Sequence, residues 1–294
     1  MRLIVAPERM TLLVGCDFSS RPYARKPIVI ARGRLCGNVV SLDTLQAVDS
    51  LDAYARWLRE EPHWVGGFDF PFGLPRELVQ ALGWPSRWLD AMQLYAGLER
   101  SDIRARFSAF CASRPVGGKF AHRVTDRWAG SSPSMKWVNP PVAWMLHAGV
   151  PPLIEAGVCL PGLHPGDTRA TDAQGRPRKV ALEAYPGLLA REVLGHASYK
   201  SDDRRKQTVE RRERRQHLLD ALQAGRTRLS LRLEMEPDQR ALLLEDGRGD
   251  KLDAALCLVQ AAWGWQRGWP RYGLPMSFDP LEGWIVTALP PTVD

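Results

Sequence analysis

The 294 residues are enough for one large or two ordinary domains with an ample core. Lys and Arg number 40 against 33 Asp and Glu, a formal charge of +7 that suits an anionic partner, while no segment approaches the roughly 18 apolar residues of a membrane span. The five cysteines are odd in number, scattered and without C-x-x-C spacing, which excludes a disulfide framework or a zinc site and predicts reduced thiols in a cytoplasmic protein.

Leu13-Val14-Gly15-Cys16 has the look of a lipoprotein cleavage box, but Pro7, Glu8 and Arg9 interrupt the apolar stretch that such a signal needs. Residues 1–9 therefore read as a short extension ahead of one domain over 10–294. Residues 11–18 read as the first strand, with Leu13, Gly15 and Asp17 on one face. Residues 27–34 and 35–41 read as two more strands, joined around Gly33 or Gly37. From Leu42 to Glu60 the apolar positions Leu45, Val48, Leu51, Ala55 and Leu58 predict a helix.

Trp64 to Phe68 reads as a buried fourth strand that delivers Asp69 into the breaking sequence Phe70-Pro71-Phe72-Gly73-Leu74-Pro75. Gly67 stands two before Asp69, as Gly15 stands two before Asp17, so each carboxylate has a side-chain-free neighbour on its own face. If the two strands are neighbours, both carboxylates can reach one cation.

Helices are expected over Arg76–Leu82 and Leu89–Phe110, then a Pro-, Gly-, Ser- and Trp-rich stretch to about residue 175, with a short helix over Val142–Ala156 that Pro151–Pro152 stops or that restarts after them. Residues 86–177 thus form an insertion between the fourth and fifth strands. Within it, Lys119, His122, Arg123, Arg127 and Lys136 interleave with Trp128 and Trp137, the mixture that single-stranded nucleic-acid platforms use; an ordinary ordered insertion gives the same composition. Lys119 and Arg123 are the expected substrate contacts there.

A fifth strand over Lys179–Tyr185 carries Glu183 before Pro186. A long helix is expected from Lys200 to Ala224; residues 200–215 hold eight basic against four acidic groups, among them Arg204, Arg205, Arg212 and Arg215. Many of these suit i,i+4 pairing on a solvated helix, and the surplus suits phosphates. Asp250 and Asp253 share the first turn of an apolar helix, where acidic residues also serve as caps. A last strand is expected over Glu282–Thr287.

Singly, each carboxylate has an ordinary structural use. Their order carries more: Asp17 on strand one, Asp69 on strand four, Glu183 on strand five, Asp250 and Asp253 on the last helix. Three strands, helix, strand, helix, strand, helix is the ribonuclease H-like order, a mixed five-stranded α/β sheet flanked by helices in which acidic residues of these elements meet at one edge. Clustered carboxylates repel one another, and a hard divalent cation resolves the repulsion.

Gly15-Cys16-Asp17, Phe68-Asp69-Phe70-Pro71-Phe72-Gly73-Leu74-Pro75, Glu183-Ala184-Tyr185-Pro186, Lys200 with its following arginines, Asp250-Lys251-Leu252-Asp253-Ala254-Ala255 and Glu282-Gly283-Trp284-Ile285 together resemble the DUF429 family. These are described as predicted nucleases of ribonuclease H-like fold. Asp-x-x-Asp-Ala-Ala is also similar to the final helix of RuvC-type junction resolvases. The resemblance implies a metal-dependent nuclease acting on DNA or RNA, with Mg²⁺ or Mn²⁺ held by Asp17, Asp69 and Asp253, assisted by Glu183 or Asp250, and with Lys200 and the Arg204–Arg215 segment neutralising the substrate.

Two other expectations compete with it. An ATP-dependent phosphotransferase of the actin and sugar-kinase branch would need phosphate-cradling glycine hairpins, for which Gly117–Gly118 is all the sequence offers, and no G-x-x-x-x-G-K-[ST] loop is present. A non-catalytic nucleic-acid binder would use the basic segment alone.

Overall fold

The computed structural model describes residues 11–288, so the extension expected at 1–9 lies outside the described residues. The elements run β1 Leu12–Asp17, β2 Ile28–Cys36, β3 Val39–Val48, α1 Leu51–Glu60, β4 Trp64–Phe68, α2 Arg76–Ala81, α3 Trp88–Ala96, α4 Arg100–Ala112, α5 Val124–Ala129, α6 Val142–Glu155, β5 Lys179–Glu183, α7 Pro186–Leu194, α8 Val209–Gln223, β6 Arg232–Glu234, α9 Pro237–Glu245 and α10 Asp250–Arg267. They form one mixed sheet in the order β5-β4-β1-β2-β3-β6, six strands where the sequence predicts five. The sixth has a visible signal: Leu229, Leu231 and Leu233 are buried and alternate with polar residues.

β1 and β4 are parallel, with Gly15 opposite Gly67, and β5 is parallel to β4. β2 runs antiparallel to both β1 and β3. Two layers of helix cover the faces. Leu13, Val65, Val180 and Leu182 point to α7, α8, α9 and α10, while Val14, Cys16, Trp64 and Phe68 point to α1 and to the helices between β4 and β5. Strands with both faces covered must be apolar throughout, which is why β4 reads as an unbroken buried run.

Gly15 and Gly67 have a more definite purpose than leaving room beside a carboxylate. A Cβ on Gly15 would lie 2.0 Å from the carbonyl oxygen of Ala254, and one on Gly67 would lie 2.5 Å from that of Cys257. The two glycines let the α10 backbone rest directly on the sheet.

Several local expectations are corrected. Residues 42–48 belong to β3: the hairpin turns at Gly37, whose φ is +61°, and Val40 and Leu42 are buried on the core face. The helix begins only after Ser50, whose side chain accepts from the Ala53 N–H. The spacing of Leu45, Val48 and Leu51 suits a helix, but pairing with β2, Leu45 opposite Ala31 and Val48 opposite Ile28, overrides it. The helix expected over Leu89–Phe110 is two, α3 and α4, with Gly97 capping the first. The one expected from Lys200 is a 3₁₀ turn at Arg204–Lys206 followed by α8. α6 continues through Pro151 and Pro152. Pro186 opens α7 besides ending the strand, and the expected strand at 282–287 is a single bridge between Ile285 and Glu183. Among the described residues no helix is long and apolar enough to cross a membrane.

Candidate metal centre

Because Gly15 pairs with Gly67, Asp17 and Asp69 leave the sheet side by side at the C-terminal ends of β1 and β4, and the Asp69 N–H donates to the Cys16 carbonyl at 2.9 Å. Both aspartates share a face with those glycines, the face that α10 covers. One turn into α10 stands Asp253, fully buried. Asp17, Asp69 and Asp253 each bring a carboxylate oxygen to within 4.8 Å of the others.

The segment after Asp69 is tightly held. The Phe72 N–H donates to Glu183 at 2.9 Å, Trp88 donates its indole N–H to the Phe72 carbonyl, and Gly73 lets residues 281–282 pass where a Cβ would meet the Leu281 carbonyl at 2.4 Å. Phe70, Phe72 and Leu74 bury themselves in the core behind the turn. The punctuated sequence after Asp69 is therefore a fixed loop that sets the direction of one carboxylate.

The electrostatics arise from crowding. Burial, reinforced by Asp253 and opposed by Lys200, holds the Asp17 carboxyl well above its ordinary range. Burial and Asp253 push Asp69 up to about 7. Asp253 is raised by burial as well, although Lys200 and Tyr199 both donate to it. Burial disfavours the Lys200 ammonium, but Asp253, then Tyr199, Asp17 and Asp69, outweigh it and keep it charged. One lysine thus faces three carboxylates, and neither Asp17 nor Asp69 accepts a side-chain hydrogen bond from the described residues. Two convergent carboxylates without protein donors, beside a third that Tyr199 and Lys200 orient, make an oxygen donor set of the kind a hard divalent cation takes. The residues present fit a hard divalent cation.

Asp250 stands apart from these three. It is half-buried at the start of α10, and burial with neighbouring Asp246 brings it to about 6. The amide-capping role belongs instead to Asp246, which accepts from the N–H groups of Arg248 and Lys251.

Glu183 is turned away from the cluster. Its carboxylate meets Arg123 at 2.6 Å, and the same guanidinium reaches Asp126 at 2.8 Å and the Glu282 carbonyl at 2.9 Å. Arg123, Asp126 and Glu183 are all nearly without solvent exposure. Arg123 therefore does not stand at a substrate surface; it ties the segment between β4 and β5 to the sheet. Sequence reasoning misses Asp126, although Arg123-x-x-Asp126 at the start of α5 is a capping-box spacing.

The basic segment is mostly engaged too. Arg214, Arg215 and Arg211 donate to three successive carbonyls, those of Ser198, Tyr199 and Lys200, at 3.0, 2.8 and 3.0 Å. Arg215 is buried and also donates to the Leu244 carbonyl. These arginines hold the loop whose side chains Tyr199 and Lys200 reach Asp253. Arg212 pairs with Glu245 and Arg205 with Asp203, both at the surface, while Arg204 is exposed with no ion pair among the described residues. Lys119 is exposed, its ammonium 5.7 Å from the Phe120 ring centre, and Gly117–Gly118 lies in a turn after α4.

No protein-family model, no curated protein and no solved structure matches the chain.

Proposed function

We propose that this chain is a divalent-cation-dependent phosphodiesterase acting on nucleic acid, built on a ribonuclease H-like core. The observation that carries the proposal is the meeting of Asp17, Asp69 and Asp253 from two adjacent parallel strands and the helix that packs on them. The order of the first five strands and their helices is the one the resemblance implies, which supports the same reading.

Mg²⁺ or Mn²⁺, when bound, would supply Lewis-acid activation of water and stabilisation of charge on phosphoryl oxygens. Asp17, Asp69 and Asp253 are the residues that would hold it. Tyr199 and Lys200 fix the orientation of Asp253, and Lys200 keeps a positive charge beside the place where a phosphate would sit. Glu183, bonded to Arg123 and to the Phe72 N–H, braces the loop after Asp69.

The test is cleavage of labelled single-stranded, duplex and branched substrates with Mg²⁺ or Mn²⁺, alongside calorimetric titration of the cation. Asp17→Asn should lose more than about 100-fold in rate, beyond what losing an outer partner of a metal ligand costs, and should weaken cation binding in parallel. Unchanged cleavage in Asp17→Asn overturns the site.

A further inference from the structure

Two features flank the carboxylates along the same sheet edge. On the β4 and β5 side lies a cavity of about 160 Å³, with Asp69 and the Arg123–Glu183 pair in its wall and a mainly apolar surface to which Val142, Met145, Tyr185 and Ile285 contribute. An apolar cavity of about 150 Å³ accepts a ring the size of benzene. On the other side a groove of about 520 Å³ is lined by Arg25, Arg204, Arg248 and Lys251, with Asp246 and Asp250 among its walls. None of these four cations forms an ion pair among the described residues, whereas nearby Lys26, Arg205 and Arg212 each do.

Topology places the three features in a row. The cavity takes residues from the ends of β4 and β5, and the carboxylates stand at the ends of β1 and β4. The groove takes Val29 from the start of β2 and Leu45 to Ala47 from the end of β3. Antiparallel pairing of Asp17 with Val29, and of Val29 with Ala47, brings those positions to the same edge. With strands about 4.8 Å apart, the row from β5 to β3 spans roughly 19 Å. An apolar hole for one planar ring, then acceptors suited to a cation, then unpaired cations, matches a base, its phosphate and the next phosphates along the strand.

We infer that this edge binds a single strand of nucleic acid, with its phosphates along Arg25, Arg204, Arg248 and Lys251 and one unstacked base in the cavity beside Asp69. This rests on the phosphodiesterase reading for the position of the scissile phosphate. A paired base is stacked in the duplex and would have to be extruded to enter, so the unpaired strand is the preferred substrate.

The experiment uses the full chain with fluorescent single-stranded DNA, single-stranded RNA and the matching duplexes. Binding is followed in EDTA, cleavage in Mn²⁺, and one abasic residue is moved through the strand position by position. A single strand, of whichever sugar binds better, should bind at least about tenfold more tightly than its duplex, with strong salt dependence. One abasic position should cost about tenfold in cleavage. Met145→Trp, which fills the cavity, should cause a similar loss and remove the effect of the abasic residue. The surface pair Arg25→Glu and Arg248→Glu should weaken strand binding at least about tenfold and flatten its salt dependence.

Equal or tighter duplex binding, a flat abasic scan of the unmodified protein, or unchanged affinity in the Arg25 and Arg248 variant overturns the inference. The abasic scan needs no variant, so a misfolded Met145→Trp leaves the test intact. Absence of cation binding in calorimetry overturns the phosphodiesterase reading instead, and base-selective strand binding that persists there still supports the inferred path.

Discussion

A guanidinium sealed from water is worth keeping only if its partners fit, and Arg123 meets that condition with Asp126, Glu183 and the Glu282 carbonyl. Burial works against its charge, but the two carboxylates outweigh burial and hold it firmly protonated. Removing one partner from such a group strands the others. Arg123→Met should destabilise the fold by about 3–5 kcal/mol in urea denaturation, because Glu183 and Asp126 would remain buried without their cation. It should also loosen the turn after Asp69, through Glu183 and the Phe72 N–H. A loss below about 1 kcal/mol would show that the network is not held as described.

Helix α10 touches the sheet through backbone, and this contact sets where Asp253 stands. A Cβ at Gly15 would meet the Ala254 carbonyl at 2.0 Å and the Leu258 nitrogen at 2.2 Å, both main-chain atoms that no rotamer change can move. Gly15→Ala should therefore push the helix away, costing about 1–3 kcal/mol of stability and lowering cation affinity together. Gly118→Ala, whose new methyl would meet nothing nearer than 3.5 Å, should stay within about 0.5 kcal/mol of the parent. Thermal melts and cation titration of the two variants decide it. At the same scale, α8 acts mainly as a clamp: three of its arginines grip successive carbonyls of the loop at 198–200.

For the whole molecule, three crowded carboxylates should make stability depend on pH and, if they hold a cation as proposed, on that cation. A carboxyl whose folded pKa is raised binds its proton more tightly in the folded state, so its contribution to stability is lost as pH rises. For Asp69 the window runs from its ordinary value of 3.8 to about 7. With metal removed, the melting temperature should fall between about pH 4 and pH 7. Mn²⁺ or Mg²⁺, which binds the ionised form, should raise it more at the upper end than at the lower. Replacing both Asp17 and Asp69 by Asn should flatten both dependences. A cation response of equal size in that variant would place the binding elsewhere.

The pieces of the candidate centre were legible because each is local. Gly15 with Asp17 and Gly67 with Asp69 are fixed local spacings that strand period puts on one face, and Asp253 lies in the first turn of a readable apolar helix, although its neighbour Asp250 stays outside the cluster. The mixed α/β succession, the uniformly apolar β4 and the turn after Asp69 were readable for the same reason. Sequence could not choose among partners that lie far apart in the chain. Glu183 and Asp253 looked alike as acidic residues, yet β5 turns one to Arg123 while α10 carries the other to Asp17 and Asp69. Arg123, Arg204 and Arg215 looked alike as surface cations; packing buried two of them on carboxylates and carbonyls and left Arg204 open in a groove with Arg25, Arg248 and Lys251. Charge and periodicity are properties of a segment, so the sequence alone determined which groups the protein has to work with. Desolvation and pairing arise only when segments meet, so only the tertiary structure decided which of those groups are free.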